Sequence, residues 1–81
     1  MIIEILGTGC KKCQHLTKIT MDVIKEMGIA ADVMKVDNIE EISKRGVLLT
    51  PALVLDGEIK SSGRLPSRTD IKEWINKKLN I

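Results

Sequence analysis

Two kinds of periodicity alternate along this chain, and their order limits what it can fold into. Residues 2–6 form a short apolar run typical of a buried strand. An apolar stripe at i, i+3, i+4 and i+7 spacing then extends from Leu16 to Met27, and Gly28 follows at the position that a helix C-cap prefers. Residues 33–36 predict a second strand. The chain therefore begins strand, helix, strand.

A short helix and a hairpin are predicted next. Asn38, with Glu41 three residues later, resembles a capping box, and Gly46 closes the short helix that it starts. Asp56-Gly57 is a two-residue hairpin signal because both positions favour residues that tolerate a positive φ. The two strands that it joins are predicted at 52–55 and 58–61.

The C-terminal segment predicts one more helix after a loop over residues 62–66. Ser67 with Asp70 gives the start signal. One face of this helix is apolar and carries Ile71, Trp74, Ile75 and Leu79. The predicted order is strand, helix, strand, helix, hairpin, helix, in a single domain spanning residues 1–81.

Composition and charge exclude several function classes. Apolar residues make up 43% of the chain, but with one Trp and no Phe or Tyr we expect a core of Ile, Leu, Val and Met. The 13 basic and 11 acidic residues are interspersed, which argues against a nucleic-acid partner. No apolar run approaches the roughly 20 residues of a membrane span, and the N-terminal run is too short for a signal peptide. We expect a cytoplasmic monomer that binds neither nucleic acid nor membrane.

The only two cysteines, Cys10 and Cys13, lie where the first strand meets the first helix. A thiolate at a helix N-terminus is stabilised by unpaired backbone N–H groups, which makes it reactive at neutral pH. Cys13 continues the apolar stripe and is predicted to be buried, whereas Cys10 lies off that line beside the turn 7–9. Exposure favours Cys10 as attacking thiolate and Cys13 as resolving thiol. In a reducing compartment the pair indicates redox catalysis or metal binding rather than a structural disulfide.

Lys11 and Lys12 separate the two cysteines. Two cations in the first turn of a helix oppose its dipole and cost stability, yet they favour a nearby thiolate. A local rule broken beside a reactive group is typical of a functional site. We therefore interpret both lysines as modulators of cysteine reactivity.

The constellation as a whole resembles the thioredoxin/glutaredoxin superfamily, and within it the small redox-active disulfide proteins. The residues that carry the resemblance are the early strand, the segment Gly7-Thr8-Gly9-Cys10-Lys11-Lys12-Cys13 at a helix start, and Thr50-Pro51 just before the hairpin. It extends over essentially the whole chain. It implies an α/β thioredoxin fold, β-α-β-α-β-β-α, with a four-stranded mixed sheet flanked by helices.

The resemblance also implies a substrate-binding surface. Pro51 would be cis and would face Cys10, in preference to an ordinary trans proline that opens a strand. Gly9, Thr50, Pro51 and Gly63 would bind an extended substrate segment, partly through backbone groups. Family members commonly carry an aromatic residue where this chain has Gly9.

Glu4 precedes Cys10 by six residues, where thioredoxins often hold a buried carboxylate. We hypothesise that Glu4 helps to deprotonate Cys13 through water. The alternative is a solvated glutamate on an uncovered strand face, which is the more common situation for an unpaired carboxylate.

The leading functional prediction is a thiol–disulfide oxidoreductase that reduces protein disulfides with no cofactor beyond the Cys10–Cys13 couple, and a reductase would supply its electrons. One alternative is a chaperone that holds Cu(I) between the same two thiolates, although two ligands fall short of a zinc site. A second is a glutathione-dependent glutaredoxin, in which Lys11, Lys12 and Arg64 could meet the glutathione carboxylates. A third is a non-catalytic interaction domain with inert thiols.

Overall fold

A computed structural model describes residues 1–9, 11–47 and 49–79. The elements in these ranges follow one another in the predicted order. They are β1 (Ile2–Leu6), α1 (Lys11–Met27), β2 (Asp32–Val36), α2 (Ile39–Lys44), β3 (Ala52–Leu55), β4 (Glu58–Ser62) and α3 (Arg68–Leu79). Within the described residues, no helix combines the length and the apolar character that crossing a membrane requires.

The strands form one four-stranded sheet in the order β2-β1-β3-β4. Strands β1 and β2 are parallel because α1 carries the chain back between them, whereas β3 pairs antiparallel with both β1 and β4. The β3–β4 ladder has a bulge between Leu53 and Val54. Strand β4 ends at Ser62, one residue later than predicted. The α/β class, the mixed sheet and the β-α-β-α-β-β-α order predicted from the sequence are confirmed.

One face of the sheet packs against α1 and α3 through a continuous aliphatic core, which we call the larger core. Alternation along β1 points Ile3 and Ile5 to this face. The stripe on α1 supplies Leu16 and Val23, and Thr20 is accommodated because its hydroxyl donates to the Leu16 carbonyl at 2.7 Å. The buried residues of the larger core are Ile3, Ile5, Leu16, Val23, Leu53, Leu55, Ile71 and Ile75.

The opposite face is covered by the short helix α2. Its smaller core contains Leu6, Ile42, Val47, Ala52 and Val54. Leu6 and Ala52 are register partners in the β1–β3 ladder, so this cluster lies at the end of the sheet where β1 stops and β3 starts. The turn over residues 7–9, which follows β1, and the segment that precedes β3 therefore lie at the same end of the sheet.

Helix ends and the hairpin follow the sequence signals. The Asn38 side chain accepts from the backbone N–H groups of Glu40 and Glu41, and Ser67 and Asp70 cap α3 reciprocally. Asp56 and Gly57 both adopt positive φ, as the two central positions of a type I′ turn require.

The core predictions need correction at several positions. Trp74 packs against the larger core as its face predicts but is only half-buried, with the Arg64 guanidinium 5.9 Å from the centre of its ring. Leu79, at the C-terminal end of α3, is exposed rather than packed. Met21 and Met34 are also exposed, whereas Met1 and Met27 are partly buried against the larger core.

Candidate active site

Cys13 lies in the first turn of α1 and is buried, with 5% of its surface exposed. It continues the apolar stripe of the helix, as its spacing to Leu16 and Thr20 predicts. Its carbonyl accepts a hydrogen bond from the Thr17 hydroxyl at 2.9 Å. Cys10 lies outside the described residues, so its predicted exposure and its role as the attacking thiolate stay predictions.

Gly7 packs directly against Cys13. A Cβ atom added to Gly7 would overlap the Cys13 Sγ, and it would lie 3.3 Å from the Cys13 Cβ and 3.9 Å from the Thr50 Cβ. The backbone N–H of Gly7 donates to the Val36 carbonyl at 2.9 Å, which fixes the turn to the end of β2. Glycine is therefore needed here for space, so that the Cys13 sulfur can approach the backbone. The sequence marked Gly7 only as part of a flexible turn.

The segment Thr50-Pro51 also lies next to Gly7. The peptide bond between them is cis, Pro51 is buried and Thr50 is exposed. The Pro51 carbonyl accepts from the Gly63 N–H at 3.0 Å, and the Leu49 carbonyl accepts from the Ser62 hydroxyl at 2.8 Å. These bonds hold the segment 49–51 against the end of β4.

Gly63 has a structural reason to be glycine. Its φ is +78°, and an added Cβ would lie 2.8 Å from the Leu49 Cβ. The structure thus brings Gly63, Thr50, Pro51, Gly7 and Cys13 to one end of the sheet. Whether Thr50, Pro51 and Gly63 bind substrate stays a prediction.

Gly9, Lys11 and Lys12 are exposed beside the start of α1. Gly9 has a φ of +86°, and its carbonyl accepts from the Gln14 side-chain amide at 3.1 Å. The two lysines add positive charge to the first helical turn, as the sequence predicts. This edge of the site is open to solvent.

Glu4 is placed away from Cys13. Alternation along β1 points it to the α2 face, opposite Val54, whereas Gly7 and Cys13 lie on the α1 face. Arg45 donates to Glu4 in a bidentate ion pair, with Nη1–Oε1 at 2.7 Å. The hydrogen bond from Arg45 lowers the pKa of Glu4, against the smaller opposing effect of burial. The structure therefore joins Glu4 to Arg45, which the sequence did not reveal.

A pocket of about 180 Å³ opens beside Cys13. Besides Cys13 and Gly7, its lining includes two charged residues that the sequence did not single out, Lys35 and Asp37. Within the described part of the chain, which omits Cys10, no group of three or more His, Cys, Asp and Glu side chains is arranged to hold a metal ion.

Comparison with known proteins identifies the family. The Thioredoxin domain family model matches residues 1–76. The chain belongs to the thioredoxin family. A thioredoxin of Methanothermobacter thermautotrophicus is 41% identical over 76 residues, which cover 94% of this chain and 99% of the relative. A thioredoxin of Methanocaldococcus jannaschii is 37% identical over 73 residues, covering 90% and 84%.

Membership in the thioredoxin family makes the chain a protein thiol–disulfide oxidoreductase in the general sense. The fold agrees, since the chain runs βαβαββα and its last described element is a helix. The heavy-metal-associated fold instead places two strands between its helices and ends on a strand. Neither the Cu(I) chaperone nor the glutathione-dependent alternative gains support from these matches.

Proposed function

We propose that this chain reduces disulfide bonds of protein substrates through a Cys10–Cys13 dithiol/disulfide couple. The observation that carries the proposal is the meeting of Gly7, Thr50 and Cys13 at one end of the sheet, which places the second sulfur of the motif close to the segment before β3. Family membership supplies the general reaction.

The proposed reaction has two exchange steps. The Cys10 thiolate attacks a substrate disulfide, one substrate sulfur leaves as a thiolate, and a mixed disulfide forms. Cys13 then loses its proton and attacks the Cys10 sulfur. The bond between Cys10 and the substrate breaks, the second substrate sulfur leaves as a thiolate, and the Cys10–Cys13 disulfide forms. Two electrons have passed from the chain to the substrate.

Burial of Cys13 supports this division of roles. Thiol–disulfide exchange needs access to the attacking sulfur, and Cys13 is 5% exposed and packs against Gly7. A buried sulfur reaches a cysteine three residues away in the sequence more readily than a disulfide in another protein. Lys11 and Lys12 would favour the thiolate of Cys10.

The segment 49–51 supports the binding half of the proposal. Thr50 is exposed next to the Cys13 site, and the bonds from Ser62 and Gly63 hold its neighbours Leu49 and Pro51 in place. An extended substrate segment would pair with backbone groups there, between Gly9 on one side and Gly63 on the other. The partners we propose are disulfide-containing proteins, which are reduced, and a reductase that recycles the Cys10–Cys13 couple. We propose that the chain works as a monomer in the reducing cytoplasm.

A redox titration with thiol labelling tests the couple itself. The chain should titrate as one two-electron couple in the range of thioredoxins and glutaredoxins, on the order of −200 to −270 mV. Cys10→Ser and Cys13→Ser should each remove it. A chain that forms no intramolecular disulfide and instead takes up Cu(I) tightly would overturn the proposal in favour of the metal chaperone.

A further inference from the structure

Leu49 is a large apolar side chain that the fold leaves exposed. It directly precedes Thr50-Pro51, and 64% of its surface is accessible to solvent. Single apolar side chains are common on protein surfaces, so exposure alone indicates no function. The position of Leu49 distinguishes it, because the neighbouring Thr50 lies close to Gly7, which contacts the Cys13 sulfur. The exposed side chain therefore adjoins the site of disulfide exchange.

Contacts with the end of β4 hold Leu49 in place. Its carbonyl accepts the hydrogen bond from the Ser62 hydroxyl at 2.8 Å. Its side chain packs against the bare backbone of Gly63, where an added Cβ would lie 2.8 Å from the Leu49 Cβ and 3.0 Å from its Cδ1. A side chain that is already held in one position loses little conformational entropy when a partner packs on it. Leu49 is thus prepared for contact with another molecule.

The two edges of the site differ in their chemistry. On the α1 edge, the exposed residues include Gly9, which has no side chain, and the cations Lys11 and Lys12. On the edge formed by the segment 49–51, Leu49 presents an aliphatic surface. A peptide that lies between these edges meets positive charge on one side of its cysteine and an apolar contact on the other. The site can therefore distinguish the residues on the two sides of a substrate cysteine.

We propose that Leu49 is a specificity-determining residue, which selects disulfides that carry an apolar side chain close to the cysteine attacked by Cys10. This inference rests on the proposed function. The contact removes apolar surface of both side chains from water. Because it forms as the substrate is positioned for attack, it raises kcat/KM for such a substrate. Leu49 takes no part in the exchange of sulfurs, so it affects which disulfides are reduced and not how their bonds break.

Symmetric disulfides of short peptides test this selection. The reference is the disulfide of Ala-Ala-Cys-Ala-Ala, and in each other peptide a single Ala is replaced by Leu. Reduced protein is mixed with each peptide disulfide, and chromatography of the released peptide thiol gives the second-order rate constant. Leucine on one side of the cysteine should raise this constant about fivefold over the reference. On the other side, which faces Lys11 and Lys12, leucine should have little effect.

Variants of the protein assign the preference to Leu49. The readout is the ratio of the leucine and alanine rate constants within one variant, which cancels any change in cysteine reactivity. Leu49→Ala should bring the ratio close to equality, and Leu49→Met should retain most of it because it keeps an apolar side chain of similar volume. Ile39→Ala is the matched control. It removes a side chain that is 69% exposed on α2, away from the segment 49–51, and should leave the ratio unchanged.

The outcomes separate this inference from the proposed function. Leucine and alanine rate constants within roughly twofold of each other in the parent protein would overturn the role of Leu49. A preference that survives in Leu49→Ala, or that Ile39→Ala removes equally, would do the same. Failure of the parent protein to reduce any of the peptide disulfides would instead overturn the proposed function.

Discussion

The α1–α3 face of the sheet carries a continuous aliphatic core, whereas the α2 face carries a smaller core beside the Glu4–Arg45 ion pair. Both faces lead to the same end of the sheet. The larger core anchors α1 and thereby Cys13, and the smaller core, through Val47 and Ala52, anchors the ends of the segment that contains Thr50-Pro51. The site is therefore held jointly by a strongly packed side and a weakly packed one.

Truncating the two cores should separate their contributions to stability. Leu16→Ala, in the larger core, should lower the free energy of unfolding by about 3–5 kcal/mol, and Ile42→Ala, in the smaller core, by about 2–3 kcal/mol. Urea unfolding of the reduced protein, followed by Trp74 fluorescence, measures both. An Ile42→Ala loss equal to or larger than that of Leu16→Ala would remove the distinction between the two faces.

Gly7→Ala tests the close packing of Gly7 against the Cys13 sulfur. The added methyl group overlaps the Cys13 Sγ, so we expect a loss of about 1–3 kcal/mol in the free energy of unfolding. We also expect a slower resolving phase with Ellman's reagent, in which the second thionitrobenzoate is released as Cys13 attacks the Cys10 sulfur. Gly28→Ala is the matched control. Gly28 has a φ of +65° with open space around it, so its substitution should cost stability without altering the resolving phase. Slowing of that phase by both variants would show that the contact with Cys13 is not what matters.

The ion pair on the α2 face should make stability depend on pH. Because Arg45 lowers the pKa of folded Glu4 below its ordinary value near 4.5, the contribution is fully present above that value. It is lost as the pH falls through the lower, folded-state pKa. We expect about 1 kcal/mol, measured as the coupling between Glu4→Gln and Arg45→Gln in a double-mutant cycle at pH 7. A coupling near zero at pH 7, or one that persists at pH 2, would contradict this account.

The smallest expected effect concerns the exposed edge of the site. Replacing Lys11 and Lys12 together by Gln should slow the first phase with Ellman's reagent, the release of one thionitrobenzoate on attack by Cys10. We expect a slowing of about two- to threefold, because the Cys10 thiolate loses nearby positive charge. High salt should reduce the difference between the variant and the parent protein. An effect on the second phase alone would place the influence of the lysines on Cys13 instead.

Local signals in the sequence predicted most of the fold. The stripe from Leu16 to Met27, the Asn38 cap and the Asp56-Gly57 turn each act within a few residues, so their outcome does not depend on tertiary packing. The burial of Cys13 followed from the same stripe. The periodicity of α3 predicted the inward face of Trp74, which packs partly buried against the larger core, but periodicity alone does not predict how much of a side chain is covered.

The parts of the site that the sequence missed depend on contacts between distant residues. Arg45 and Glu4 are 41 positions apart in the sequence, and no local pattern around either residue indicates that they form an ion pair. Gly7 is needed because of a sulfur six residues later, and its role became visible only from the packing. The charge of Glu4 inside an apolar central strand was the one available hint that a partner was required.

Trapping of the mixed disulfide tests most directly the claim that Cys10 attacks and Cys13 resolves. Cys13→Ser, incubated with insulin as a disulfide-bonded probe, should form a covalent adduct that dithiothreitol releases. Cys10→Ser should form none, and the parent protein should release reduced insulin without accumulating an adduct. Adducts formed equally by both variants, or by neither, would contradict the account.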